Sequence, residues 1–319
     1  MVATLVFCND IDCSDWATYR EVHRELEQEF GIIAEDSFWL FDPNGSEMAL
    51  FGKALHEKGP RHDDLLEDIS NHKLTVLHSA GNFSRTNDRI EPSRRLIADG
   101  LDYLKQRAGV PSIWTNHGDD CDIQNLGGAS PRYQKGDDPS SDVYLIDLLL
   151  LYGFKFFCMD HHFTNSFVFS QNDPQGQPVV KREKTRSGFE VTCFFRYRGD
   201  LPKAPDAQTL GLQLTQGNLD NLVQRDGTSI VYQHWCVHRD CDGRPYTAGR
   251  PVFPSQSVSA LKLLLRYRDQ KLINIVSLHE ALTAGAAMLV SPEAPDDWSV
   301  PLCYKEAERT RKSIGETSH

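Results

Sequence analysis

The residues best suited to chemistry in this chain are ionisable groups standing where short apolar runs end. Asp10 and Asp12 follow the run 4–7, His78 follows 73–77, His117 follows 111–115, Asp160, His161 and His162 follow 154–159, and His234 follows 228–232. Two carboxylates two residues apart point to one side of an extended segment, and they repel unless a proton or a cation lies between them. A metal ion would let both stay ionised, one as ligand and the other as a base. The pair could instead cap the following helix, a task Ser14 or Asp15 can also perform. Imidazole with carboxylate is a common donor set for zinc and other divalent transition metals, which makes His78 a candidate ligand. Asn82, four residues on, shares its side if the turn is helical. His78 could equally be a buried histidine satisfied by backbone. His234 could give a proton to a leaving group if a nearby carboxylate keeps it charged, or it could only hydrogen-bond a substrate.

The elements that must position these groups read as alternating strands and helices. Strands are expected at 4–7, 37–41, 73–77, 111–115, 154–159, 191–197, 228–232 and 273–276. Helices are expected at 15–30, 63–70, 92–107, 142–152, 219–224, 257–269 and 278–287, with Gly31, Gly109 and Gly153 as stops. This order implies a parallel sheet in an α/β fold. In parallel barrels the working groups sit at the carboxyl ends of the strands, so five strand ends bearing acids and histidines predict a single rim. Residues 119–141 read as a long Gly-, Asp- and Asn-rich loop, 163–226 as a less regular insertion, and 291–319 as a polar tail. The expected domain therefore spans 1–290.

The chain has 319 residues, 39% hydrophobic and 25% charged, with a formal net charge of -11. That balance supports a packed core and disfavours general nucleic-acid binding, because a phosphate backbone would be repelled. The start lacks the basic residues and cleavage site of a secretory signal. No run is long enough to span a bilayer; 145–157 comes closest and is broken by Asp147 and Lys155. The eight cysteines show no C-x-x-C spacing, so a zinc finger is excluded and a reduced, cytoplasmic setting is expected. No glycine-rich nucleotide loop is present.

Taken in order, Asp10-Ile11-Asp12, His78-Ser79-Ala80-Gly81-Asn82 and Ser229-Ile230-Val231-Tyr232-Gln233-His234 resemble the motifs of the polysaccharide deacetylase superfamily. Residues 275–282 resemble its closing strand and helix, so the likeness covers roughly 4–285. The stretches 114–118 and 124–127 are similar to deacetylase-like proteins associated with bacterial surface-polysaccharide synthesis. The resemblance implies a distorted (β/α) barrel of about seven strands. It also implies a divalent metal, zinc above all, and hydrolysis of an N- or O-acetyl group on a sugar or glycan. Carried over, Asp10 is the general base, Asp12 and His78 are metal ligands, Asn82 stands in the third ligand's place, and His234 is the general acid. Asn82 departs from the family's histidine, since an amide oxygen is the weaker donor. His117 is the expected replacement, with Asp160, His161 and His162 behind it. The family's arginine motif is absent in its usual form, and Asn116-His117-Gly118 stands in that region.

Other readings stay open. Asn82 also fits a non-hydrolytic carbohydrate-binding or assembly protein on the same fold, and Asp10 or Asp12 with another carboxylate fits a glycosidase. Asp160-His161-His162 matches a phosphoesterase triplet whose companion motifs are missing. Arg196 and Arg198, interleaved with aromatics, could meet an acidic sugar or a phosphate, or form a solvated face. Asn116, Asp160, His161, Arg196 and Trp235 are the candidate substrate contacts. Trp39, Trp114 and Trp235 could stack on sugar rings or pack in the core.

Overall fold

The structure is a computed structural model that describes residues 2–83, 92–117, 122–127, 134–159, 165–166, 168–171, 178–201 and 204–289. The apolar runs form the strands β1 (Ala3–Asn9), β2 (Asp36–Phe41), β3 (Ala49–Phe51), β4 (Leu74–His78), β5 (Ile113–Thr115) and β6 (Phe156–Cys158). Beyond them come β7 (Asn165–Ser166), β8 (Val180–Lys184), β9 (Glu190–Phe194), β10 (Arg196–Tyr197), β11 (Thr228–Gln233) and β12 (Ile273–Ile275). The helices are α1 (Trp16–Phe30), α2 (His62–Ser70), α3 (Arg94–Arg107), α4 (Ile146–Leu151), α5 (Leu210–Gln213), α6 (Gln216–Gln224), α7 (Ser255–Asp269) and α8 (Leu278–Met288).

The twelve strands join one sheet in the order β7-β10-β11-β1-β2-β4-β5-β6-β9-β8, with β12 also on β1 and β3 on β2. Among the described residues, every pairing between two of these strands is parallel except the β8–β9 hairpin. Two halves of one extended stretch, separated only by Phe195, take different partners: β9 pairs with β6 and β10 with β11. The segment expected as an irregular insertion thus supplies sheet strands. The expected strand 191–197 is found as β9 and β10, whereas the charged sequence of β8 (Lys181 to Glu183) hides its alternation.

Alternation along each strand sorts the residues into two cores. Leu5 and Phe7 join the larger core under the helices, whereas Val6 and Cys8 face the other way. The second core also takes Val76, Ile113, Phe156, Cys158, Phe194 and Ile230, and α8 seals it with Leu278, Ala281 and Leu282. Two residues further along the same faces stand Asp10, His78, Thr115, Arg196 and Tyr232. The polar cluster is therefore the next layer above an apolar floor.

Asp15, not Asp10 or Asp12, caps α1, accepting from the Thr18 N–H at 3.1 Å. Gly31 ends that helix in the left-handed conformation at φ 58°. The expected helix 142–152 is shortened to α4, because the Leu145 N–H is held by the Gly136 carbonyl at 2.6 Å. Among the described residues, no helix is long and apolar enough to cross a membrane.

Candidate metal centre

Asp12 is the point at which the strand ends meet. Its Oδ2 lies 3.1 Å from His78 Nε2 and 3.2 Å from His234 Nε2, and its Oδ1 lies 2.7 Å from His117 Nε2. Asp12, His78 and His117 each offer one donor atom, all within 4.8 Å of one another; Asp10, Asp12 and His234 form a second such group. The other nitrogen of each candidate ligand ring is occupied. His78 Nδ1 is 2.7 Å from Thr115 Oγ1, and His117 Nδ1 is 3.0 Å from Asp122 Oδ2. Such partners fix ring orientation and leave Nε2 free for an ion. Two imidazoles and one carboxylate with an open side form a donor set that suits catalytic zinc.

Asp10 lies behind Asp12 and is buried. Arg196 Nη1 donates to its Oδ1 at 2.7 Å, and the guanidinium sits 3.9 Å from the centroid of the Tyr232 ring. Burial pushes the Asp10 carboxyl up, but Arg196, then His78 and His234, outweigh it and hold its pKa below the ordinary value. At Asp12 burial is likewise overcome, by His117 and His78, and the carboxyl is held well below the usual range. Burial alone would lower His117, yet the charges of Asp12 and Asp122 raise it well above an ordinary histidine. His234 follows the same pattern, with Asp12 overcoming burial to raise it.

This coupling has a sign. The contribution of His117 to metal-free stability is complete below the unfolded value, about 6.5, and is lost as pH rises through the raised folded pKa. A metal must displace that proton, so apparent affinity is expected to fall as pH drops below the raised value. Calorimetry in buffers of different ionisation heat should show proton release on binding. Asp122→Asn should weaken metal binding about 10- to 100-fold.

The structure brings together Asp10, Asp12, His78, His117 and His234, as the strand-end reading expects. Asn82 goes elsewhere: its side chain hydrogen-bonds the carboxylate of Asp42. Three expected substrate contacts are corrected. Arg196 is fully buried against Asp10 rather than open to an acidic ligand. Trp235 is fully buried, with its indole N–H on Asp36 at 3.2 Å and its ring on Phe7 and Phe253. Asn116 is spent on structure, accepting from Trp114 Nε1 at 3.0 Å and donating to the Leu126 carbonyl at 2.7 Å. Asp160 and His161 lie outside the described residues.

Asp42, Thr115, Asp122 and Tyr232 are site residues the motif reading misses. Asp42 follows β2 as Asp10 follows β1, so strand-end position was a usable signal. Tyr232 was visible through alternation alone, two residues before His234. Trp39 packs its ring against both ligand imidazoles, at centroid distances of 5.9 Å to His78 and 5.5 Å to His117. Compared with known proteins, the chain matches no family model and no curated sequence.

Proposed function

We propose that this chain is a metal-dependent hydrolase that removes an acetyl group, N- or O-linked, from a sugar or glycan. The observation that carries this reading is the convergence of His78, His117 and His234 on Asp12, with Asp10 held ionised behind it by Arg196. The strand pairings support a distorted barrel. β1, β2, β4, β5, β6, the β9–β10 stretch and β11 form a ring of seven when β9 is followed through Phe195 into β10.

In this reading Asp12, His78 and His117 hold a divalent cation, zinc by its donor set. When bound, the ion supplies Lewis-acid polarisation of the acyl carbonyl. Asp10 takes the proton of the attacking water; its negative charge is secured by Arg196. His234 gives a proton to the departing amine or alkoxide, and Asp12 favours its charged form. Asp12, His117 and His234 remain partly open, with side chains 22%, 14% and 9% exposed, so an acyl group would approach from their side.

His117 in the third ligand position takes away the motive for a non-hydrolytic protein, which rested on Asn82. The test is acetate release from acetylated sugars by the zinc-loaded protein. Asp10→Asn is expected to abolish release while metal content stays unchanged. Undiminished acetate release in that variant would overturn the mechanism.

A further inference from the structure

Segment 122–127 does more than supply Asp122 to the His117 ring: it grips both loops that carry the candidate ligand imidazoles. Gln124 is fully buried, and both ends of its amide leave its own loop. Its Oε1 accepts from the Ala80 N–H at 2.8 Å, and its Nε2 donates to the Gly81 carbonyl at 2.5 Å. Ala80 and Gly81 belong to the turn that begins at His78. That turn is tightly constrained. Ser79 has φ 53°, in the left-handed region that residues other than glycine rarely adopt, and a Cβ on Gly81 would stand 2.2 Å from the Phe41 carbonyl oxygen.

Residues beside Gln124 hold the second ligand. Asn125 accepts from the His117 N–H at 3.1 Å and donates to the His117 carbonyl at 2.6 Å, while Asp122 orients the ring. The Gln124 backbone is itself seated tightly, since a Cβ on Gly136 would come within 2.2 Å of its carbonyl oxygen. Strand pairing between β4 and β5 reaches only as far as His78 opposite Thr115, with one more backbone bond from the Ser79 N–H to the Thr115 carbonyl at 2.6 Å. Past that point the Gln124 amide ties the two loops together.

We propose that Gln124 is a positioning residue for the metal centre. By clamping turn 79–81 to the loop that carries His117, it sets the spacing of the His78 and His117 Nε2 atoms and thereby the coordination geometry of the ion. This rests on the metal reading of the site given above. Removing this buried amide is costly chiefly at the Ala80 N–H, which loses its acceptor; the Gly81 carbonyl keeps the Phe83 N–H and the Ser79 hydroxyl, each at 3.0 Å, but loses its tie to the 122–127 segment. Its loss should therefore be felt at the two loops it joins.

The test is cobalt(II) titrated into the metal-free full-length protein and followed by visible absorption, which reports ligand geometry. Gln124→Met keeps the length and loses both hydrogen bonds; Gln124→Glu keeps the acceptor facing Ala80. Gln124→Met is expected to bind at least about tenfold more weakly with an altered absorption band, and Gln124→Glu to fall between it and the parent. Tyr103→Phe, which removes a 2.9 Å contact to His62 away from the site, should match the parent. A folded Gln124→Met protein with the parental band and affinity overturns the proposal. Absence of any cobalt band in the parent protein overturns the metal reading instead. If neither Gln124 variant folds, hydrogen exchange on the parent decides: cobalt should protect 79–82 and 122–126 together, and protection of one stretch alone overturns the clamp.

Discussion

Replacing Asp12 with asparagine is expected to strip the protein of bound metal and to cut acetate release by at least about 10²- to 10³-fold, the loss typical of removing one transition-state charge stabiliser. Asp12 is the anionic member of its ligand group and the shared contact of the three imidazoles. An amide keeps the shape and one oxygen but carries no charge. Two effects should then appear together. The ion loses its carboxylate ligand, and His117 and His234 lose the counter-charge that raises their proton affinity. Metal analysis reads the first. NMR titration of the histidines in the metal-free protein reads the second, with both expected to titrate at lower pH than in the parent. Full metal content in the Asp12→Asn protein would sink the assignment of Asp12 as a ligand.

The second large effect is expected from Arg196→Met. Arg196 and Asp10 are both buried, paired at 2.7 Å, and removed from water. Removing one partner of such a pair typically costs about 3–5 kcal/mol, because the remaining charge has neither solvent nor counter-ion. Asp10 would respond by taking up a proton: burial already pushes its carboxyl upward, and Arg196 is the largest influence opposing that push. A protonated Asp10 cannot act as a base, so activity should fall and its acid limb should move to higher pH. Adding Asp10→Asn to Arg196→Met should restore much of the stability measured by urea unfolding, without restoring activity. If the double variant is no more stable than Arg196→Met alone, the ion pair is not the source of the loss.

Much of the site was legible because a parallel strand delivers its last residues to one edge. Asp10, Asp12, His78, His117 and His234 each follow an apolar run, and their side chains do converge. What stayed hidden were relations that no single strand carries. Arg196 reads as one of two arginines on an aromatic-rich strand, and its sequence neighbours do not say whether it faces solvent or Asp10. The two-residue period settles it only once Phe194 is known to join the second core beside Val6 and Cys8. Trp235 follows a candidate acid and so invites a sugar contact, but the step after His234 turns it to the opposite core, onto Phe7. Asn116 and Asn82 look like polar rim groups, yet buried loop backbone and the Asp42 carboxylate claim them. Most of the longer strands and helices were found to within a few residues, whereas β3, β7, β8 and α5 were missed. β3 and β7, three and two residues long, present too little alternation to stand out, and the charges of β8 mask its own.

Asp12 and His234 are 222 residues apart in sequence and meet because β1 and β11 lie side by side in register from Thr4 with Thr228 to Asn9 with Gln233. The proposed ligands Asp12, His78 and His117 likewise stand at or beyond the ends of different strands, so the centre is expected to form only with the sheet. Assembly must await contacts of very long sequence separation, which places the protein among slow folders. If the proposed centre holds an ion, that ion should act after the fact, by mass action, stabilising finished molecules without hastening their formation.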